Sequence, residues 1–503
     1  MPSGARGPVW AGPATAGDPT GRVRPWLLVH SAGQPDGSTV VAPWDRRTPA
    51  EQSRLESAAL SRWLSAVRAA APFHAPRAAG IDDRLLTDRR GLQRLTPTRE
   101  RDLLADAQAG ASAVLRPNEA QVKATADDGV IAAIARAIRR DGAAGKRDAI
   151  VQAYRPVQLH RGGVGGDLLI ASSRTDLDRL HRAGARAAAV LGLRDDDVVV
   201  SAVPAGPTLA HLGVVHLAAG AGLTAMHARG AGDDLDAVAL AAGLLPTTIL
   251  VVPSQEAVDL ARVLGELRIG LRGLRTIVTV GPPPLPDERE RVAAAFGDLG
   301  ADVRVRALWG PSAGRALWAE CAEGEHGLHT YPDLEVLEVL DPLTGAPASG
   351  DGDLTVTSVG WHGTAHVRFQ TGAWVDPLAT DACPGCGRTV PRIVGDVAPH
   401  AWELPVAIDG RRQGTVDLRG VGAVVAATPW VRAWRAELQG PDQRVPRDRL
   451  VVELAGEARG DLGDLEGRIE VAAGLAPQLT TGIPVAEVER GIEEAGGVLA
   501  DRR

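Results

Sequence analysis

The alternation of apolar and polar positions divides the chain into readable stretches. EQSRLESAALSRWLSAVRAAA, from Glu51, spaces its apolar residues at helical intervals with few breakers and predicts a helix that ends at Pro72. Thr98 is placed to cap a further helix with Glu100 and Asp102 in its first turn, and residues 129–140 read as helical again. QLHRGGVGGD, residues 158–167, reads as a glycine-rich loop. From Ser173 the pattern becomes regular: a helix at RTDLDRLHRAGARAAAVLGL, strands at DVVVSAV and TTILVVP, a helix around EAVDLARVLGEL and a strand at TIVTVG. Short continuous runs of Val and Ile flanked by helices predict a largely parallel sheet covered on both faces.

The two ends differ from this middle. Residues 1–45 are rich in Gly and Pro, with one strand-like run, RPWLLVHSA, and read as a loosely structured lead-in. Beyond Val397 the text is punctuated by Pro to about residue 410. It then gives strands near VDLRG, RAELQG and RLVVELAGE, a helix over residues 464–473 and a terminal helix over 485–494. The expected architecture is therefore α/β: a large domain over residues 46–396 with mostly parallel sheets covered by helices, then a small α+β domain over 397–503.

Composition narrows the function. With 503 residues and 45% apolar content the chain buries substantial cores. Its net charge of −7, with 55 basic and 62 acidic residues intermixed, offers no footprint for nucleic acid, and none is expected as a partner. The longest apolar passage, residues 198–226, is interrupted by Pro204, Pro207, His211 and His216, so no membrane span is expected. The N-terminus lacks the apolar core of a secretory signal, and a reducing cytoplasm is the expected setting. Lys occurs only at positions 123 and 146, so nothing after residue 146 supplies an ammonium group.

In such a compartment clustered cysteines point to metal. All three lie in residues 309–395: Cys321 near the start, and Cys383-Pro384-Gly385-Cys386 near the end. Two thiolates on a glycine-containing knuckle, with a third Cys and a His from another segment, suit tetrahedral zinc in a closed, structural site. His326 and His329 both qualify as the fourth ligand. A redox-active Cys-x-x-Cys pair and plain buried thiols are the alternatives.

Several stretches carry a resemblance. PFHAPRAAGID, LTPTRERDL, TIVTVGPPPLPDERERVAAAFG, ALWGPSAG, AECAEGEHGLHTYPDLEVLEVLDPLTGAPASGDGDLTVTSV, VRFQTGAWV and CPGCGRTVPRIVGD follow one another in the order of the phenylacetate-CoA ligase-like branch of the adenylate-forming, acyl-activating enzymes. The chain resembles that family from about Trp44 to its C-terminus. The resemblance implies a large N-terminal and a small mobile C-terminal domain, acyl activation with ATP and Mg2+, transfer to coenzyme A, and a plausible homodimer. It favours His329, in the family-like GLH, as the metal ligand beside Cys321, Cys383 and Cys386. It also marks Gly281, Trp309, Gly310, Ser312 and Arg368 as candidates for a nucleotide or acyl pocket.

The departures fall on the chemistry. The family's phosphate-gripping loop reads RGGVGGD here and ends in an acid, Asp167. A Mg2+-associated Glu becomes Ala313, the ribose-binding Asp becomes Ala373, and a hinge Arg becomes Asp396. The family's C-terminal Lys has no counterpart. No catalytic residue is assigned, and the departures argue against ATP, Mg2+ and coenzyme A as cofactors. The expectation is a homologue degenerate for acyl adenylation that binds a small carboxylic acid, an acyl ligand or a protein partner. The alternatives are an active acyl-CoA ligase or acyl/aminoacyl-adenylating enzyme using unconventional residues such as Arg368, and a zinc-knuckle interaction module. Plainer readings stand beside the pocket assignments: Trp309 as a core residue, Arg368 as the partner of a carboxylate, His211 and His216 as packed side chains, and the glycine-rich loop as a simple turn.

Overall fold

Thr48 opens the first helix, Pro49–Ala70, with a reciprocal cap: its hydroxyl accepts from the Glu51 amide, and the Glu51 carboxylate accepts from the Thr48 amide at 2.9 Å. The computed structural model describes residues 45–502 apart from 80, 82–84, 101, 105–112, 127, 164–167, 233, 342–343, 400–402, 410–411, 441–446, 459 and 496–498. RPWLLVHSA and the rest of residues 1–44, as well as Asp167, lie outside the described residues.

Two helices, Glu119–Thr125 and Asp128–Tyr154, carry both lysines, Lys123 and Lys146. The second runs well past residue 140, where its apolar spacing lapses, and it is broken at Gly142, whose φ of 62° no ordinary helical residue adopts. A helix follows Thr98, with Glu100 and residues 102–104 helical, but the Thr98 hydroxyl donates to the Val367 carbonyl at 2.8 Å instead of capping it. Thr98 bridges to Phe369, donating its amide to the Arg368 carbonyl at 2.8 Å, so a long-range strand contact overrides the local capping signal.

The strands are β1 (Pro156–Gly162), β2 (Leu168–Ser173), β3 (Val198–Ser201), β4 (Thr224–His227), β5 (Ile249–Pro253), β6 (Thr276–Val280), β7 (Arg304–Trp309), β8 (Trp318–Glu320), β9 (Leu328–His329), β10 (Glu335–Leu340), β11 (Gly352–Ser358), β12 (Phe369–Val375), β13 (Arg392–Ile393) and β14 (Val397–Pro399). The first half of QLHRGGVGGD is thus strand rather than loop, because residues 158–162 pair antiparallel with β2. The central sheet has the order β13-β9-β8-β7-β6-β5-β3-β4; β4 to β7 run parallel, while β8, β9 and β13 are antiparallel. A second, antiparallel sheet has the order β10-β11-β12-β14.

The side-chain period of two sorts the parallel strands into two cores. Val200, Leu250, Val252 and Ile277 pack under the helices Leu235–Leu244, Ala257–Glu266 and Pro286–Gly297. Val199, Ile249, Val251 and Val278 face the helices Arg174–Leu191 and Leu209–Ala221 on the other side. Each such side chain contributes about 1.5–3 kcal/mol by leaving water.

The C-terminal region adds β15 (Glu403–Asp409), β16 (Arg412–Asp417), β17 (Ala433–Gln439), β18 (Arg449–Ala455), β19 (Pro477–Ile483) and β20 (Leu499–Arg502). The last four form a mixed sheet, β19-β18-β17-β20, over its own core of Leu438, Leu450, Val452 and Ile469. VDLRG is only half strand: Leu418–Ala426 is a helix, which puts Val421 and Val425 into that core. Among the described residues no helix is long and apolar enough to cross a membrane.

Candidate functional site

Two places concentrate chemistry, and the antiparallel edge of the central sheet builds the first. Cys321 immediately follows β8, and β8 pairs with β9 so that Ala319 lies opposite His329. The His329 Nδ1 lies 3.3 Å from the Ala319 carbonyl oxygen. That contact fixes the ring and leaves Nε2 to meet the Cys386 Sγ at 3.3 Å. The Cys383 and Cys321 sulfurs are 3.9 Å apart, and the four ligand atoms all lie within 4.8 Å of one another. Tetrahedral bonds of the usual zinc lengths space their ligands by roughly 3.5 Å, so small side-chain shifts close the set on a metal ion. The hydrogen bond from Cys321, with His329 and Arg388 beside it, drives the Cys386 thiol far below its ordinary value. The Cys321 proton is held in turn. His326 stays outside the set: its ring lies against Gly385, where an added Cβ would approach it to 2.5 Å.

The Cys383–Cys386 turn closes on itself, with the Gly387 amide donating to the Cys383 carbonyl at 2.9 Å and the Cys383 amide to the Arg388 carbonyl at 2.8 Å. It also holds the start of the described chain. Arg46 donates to the Cys386 carbonyl at 3.1 Å, Arg388 pairs with Asp45 at 3.3 Å, and the Thr389 amide donates to the Asp45 carbonyl at 2.7 Å. Cys321 and Cys383 belong to the same core cluster as Val199 and Leu308, so the clasp is continuous with the core on that face of the sheet.

The second place is a cavity of about 570 Å3 at the carboxyl ends of β6 and β7, where open α/β sheets offer their binding crevices. Gly281, Trp309, Gly310 and Ser312 all line it, joined by Arg161, Gly162 and Gly163 at the end of β1 and by Thr208 at the start of the helix Leu209–Ala221. Close backbone contacts explain two glycines. A Cβ on Gly162 would come within 2.6 Å of the Ala313 Cα, and one on Gly310 within 2.7 Å of the Ala316 oxygen. The Ser312 hydroxyl donates to the Gly163 carbonyl at 3.0 Å and ties the glycine turn to the β7–β8 loop. Thr208 caps its helix by accepting from the His211 amide at 3.3 Å, and the Arg161 amide donates to the Pro207 carbonyl at 2.6 Å.

Arg368 does not reach this cavity. Only 2% exposed, it pairs with Glu338 at 3.0 Å and donates to the carbonyls of Gln93, Leu95 and Gly345. These contacts also hold its backbone at a φ of 46°, a conformation rare outside glycine. Its role is to lock β12 against residues 93–95, the carboxylate-partner reading of the sequence. Trp309, 8% exposed, both lines the cavity and packs at 5.6 Å against Trp318 in a core cluster that contains Ala373. Ala313 is buried beneath the glycine turn in another cluster with Phe369 and Ile170. His211 is half-buried beside His227, ring centroids 5.3 Å apart, and burial lowers its pKa. His216 is buried against His181 at 5.0 Å, and burial pulls it down to about 4.

Sequence reasoning missed Arg161 and Thr208. Arg161 heads the glycine run and was overshadowed by it; Thr208 carries the sequence mark of a helix cap, followed as it is by LAHLGVVHL.

The sequence matches no family model and no curated protein. Solved structures do match in shape. The chain is similar to 2-hydroxyisobutyryl-CoA ligase in an open conformation in complex with 2-HIB-AMP and CoA, at 16% identity over 90% of this chain and 93% of that one, with a TM-score of 0.58. The same ligase in its postadenylation state with 2-HIB-AMP gives 17% identity, 90% and 91% coverage and a TM-score of 0.59. In its thioesterification state with 2-HIB-AMP and CoA the values are 16%, 94% for both chains, and 0.59. The parallel sheet, the crevice at its carboxyl ends and the small C-terminal α+β region together are the fold of an adenylate-forming enzyme.

Proposed function

We propose that this chain uses its β6–β7 cavity to bind a small carboxylic acid or acyl ligand and does not carry out ATP-dependent acyl activation. One observation carries this reading: among the described residues lining the cavity, Arg161 is the only charged side chain. A magnesium triphosphate needs hard oxygen ligands for the ion and fixed cations for the phosphates. The positions that the family resemblance assigns to those tasks hold the buried alanines 313 and 373. Each charge-assisted hydrogen bond missing there is worth about 1.5–3 kcal/mol. Both lysines sit on the helices Glu119–Thr125 and Asp128–Tyr154, and neither lines the cavity. The ligand class follows the solved structures of similar fold, which hold 2-HIB-AMP and CoA.

Arg161 itself favours the competing reading, an active acyl-CoA ligase in which a guanidinium takes over phosphate neutralisation. Pyrophosphate exchange with aryl, fatty and amino acids, combined with calorimetric titration of Mg-ATP, separates the two. We expect no exchange and no micromolar Mg-ATP binding; AMP formed from ATP with any acid of the panel ends the proposal.

The Cys321, His329, Cys383 and Cys386 set holds a structural zinc in this reading. Four protein ligands complete a tetrahedron and leave no position for substrate, so the ion would fasten the sheet edge rather than take part in a reaction. Elemental analysis of purified protein is expected to return one zinc per chain, and a value well below that refutes the assignment. The division into a large domain over 46–396 and a small one over 397–503 belongs to the same proposal, supported by the separate core of the C-terminal sheet, although β14, Val397–Pro399, still pairs with β12 of the second sheet.

A further inference from the structure

A second cavity, of about 210 Å3, shares no lining residue with the first. The first helix, Pro49–Ala70, turns Ala59, Arg62, Trp63 and Ala66 towards it, the spacing of one helical face, and its two alanines leave room between larger neighbours. The helix Arg174–Leu191 contributes Arg179 and Arg182, three apart on its own face. Tyr154, Asp333 and Trp361 complete the walls that matter for the argument.

Charge in this cavity is out of balance. Arg179 is paired with Asp176, whose carboxylate also accepts from the amides of His362 and Gly363 at 2.8 and 2.7 Å. Asp333, the only acid among the described lining residues, is taken by Arg186 through two bonds of 2.5 and 2.6 Å. Arg62 and Arg182 are exposed, and among the described residues their side chains make no hydrogen bond or ion pair. Two guanidinium groups are therefore left without counter-charge beside a cavity.

Aromatic rings surround the cavity, but Trp63 and Trp361 are only 5% and 1% exposed, so the half-buried Tyr154 presents the flat surface open to a ligand. The Trp63 indole donates to the Trp361 carbonyl at 3.3 Å, and the Trp361 indole to the Leu334 carbonyl at 2.9 Å, so neither ring nitrogen is left to seek a ligand. Tyr154 stacks on His362 with centroids 4.4 Å apart and planes at 22°.

We propose that this cavity binds a phosphate monoester carried on a flat ring. A monoester at neutral pH has a charge of about −1.5 to −2, which matches the two uncompensated guanidinium groups. Arginine forks meet phosphate oxygens in pairs, and the ring of the ligand packs on Tyr154. The inference is independent of what the β6–β7 cavity does.

Phenyl phosphate is the probe, titrated calorimetrically into the full-length protein. Saturable binding is expected at low salt, weakening as salt rises, with benzoate and inorganic phosphate each weaker by roughly tenfold or more. Arg62→Ala and Arg182→Ala are each expected to lower the affinity by about tenfold. Because both side chains are exposed and unpartnered, the unfolding midpoints should match the native protein, so lost binding cannot be assigned to misfolding. Unchanged affinity in the double variant, no saturable binding up to millimolar phenyl phosphate, or equal affinity for inorganic phosphate overturns the proposal.

Discussion

The Cys3His clasp and the β6–β7 cavity stand at opposite extremes of the same sheet. The clasp brings four donors from three separated segments to within 4.8 Å, and its surroundings are fully engaged: Ala319 on the histidine, Asp45 on Arg388, Arg46 on the knuckle. The cavity has the crevice position and the close-packed glycines, but among the described residues only one lining residue is charged. A clasp must satisfy geometry in the resting protein, whereas a phosphate site must hold charges that are costly until a ligand arrives. On the proposed reading, a chain that does not handle triphosphate gains by carrying alanine where such charges would stand, and gains nothing by opening the clasp.

The contrast can be broken most forcefully at the clasp. Cys386→Ser is expected to abolish stoichiometric zinc and to cost several kcal/mol of stability, read by elemental analysis and chemical denaturation. Retained stability without metal would make the clasp dispensable. Next in size is Glu335, which accepts hydrogen bonds from the Trp318 indole and the Tyr331 amide between the two regions. Burial pushes its pKa up to about 8 from 4.5. Below pH 4.5 the carboxyl is protonated in both folded and unfolded chains. Between 4.5 and 8 only the unfolded chain ionises, so stability falls as pH rises and levels off above 8. Glu335→Gln should flatten that slope in thermal unfolding and exceed the native protein in stability above pH 8.

Smaller effects sharpen the cavity side. Gly310→Val forces a side chain against the Ala316 carbonyl and should cost about 1–3 kcal/mol while leaving zinc content intact. Thr208→Ala removes the cap on the helix Leu209–Ala221 and should cost about 1 kcal/mol by denaturant titration, again without loss of zinc.

Much of this was legible in the sequence. The β3, β5 and β6 runs and the helix Arg174–Leu191 follow directly from continuous apolar text and capping residues, because local pattern and tertiary burial agree there. The cysteine spacing likewise pointed to one cluster. Arg368 misled because an arginine in a motif-like VRFQTG reads the same whether it faces a ligand or Glu338; only the fold brings Glu338 opposite. Thr98 misled for a related reason: a cap signal is local, while its bridge partner Phe369 lies far away in the sequence. The Arg62 and Arg182 cavity is silent in the sequence, since two helices more than a hundred residues apart supply it.

The scarcity of lysine has a practical outcome. The side-chain amines, Lys123 and Lys146, both sit on the helices Glu119–Thr125 and Asp128–Tyr154. Amine-directed dyes, cross-linkers and sensor surfaces will therefore mark or hold the molecule there and, apart from the α-amino group, nowhere else. A fluorophore attached in this way leaves the clasp and both cavities chemically untouched, so ligand titrations and metal removal can be followed on labelled protein.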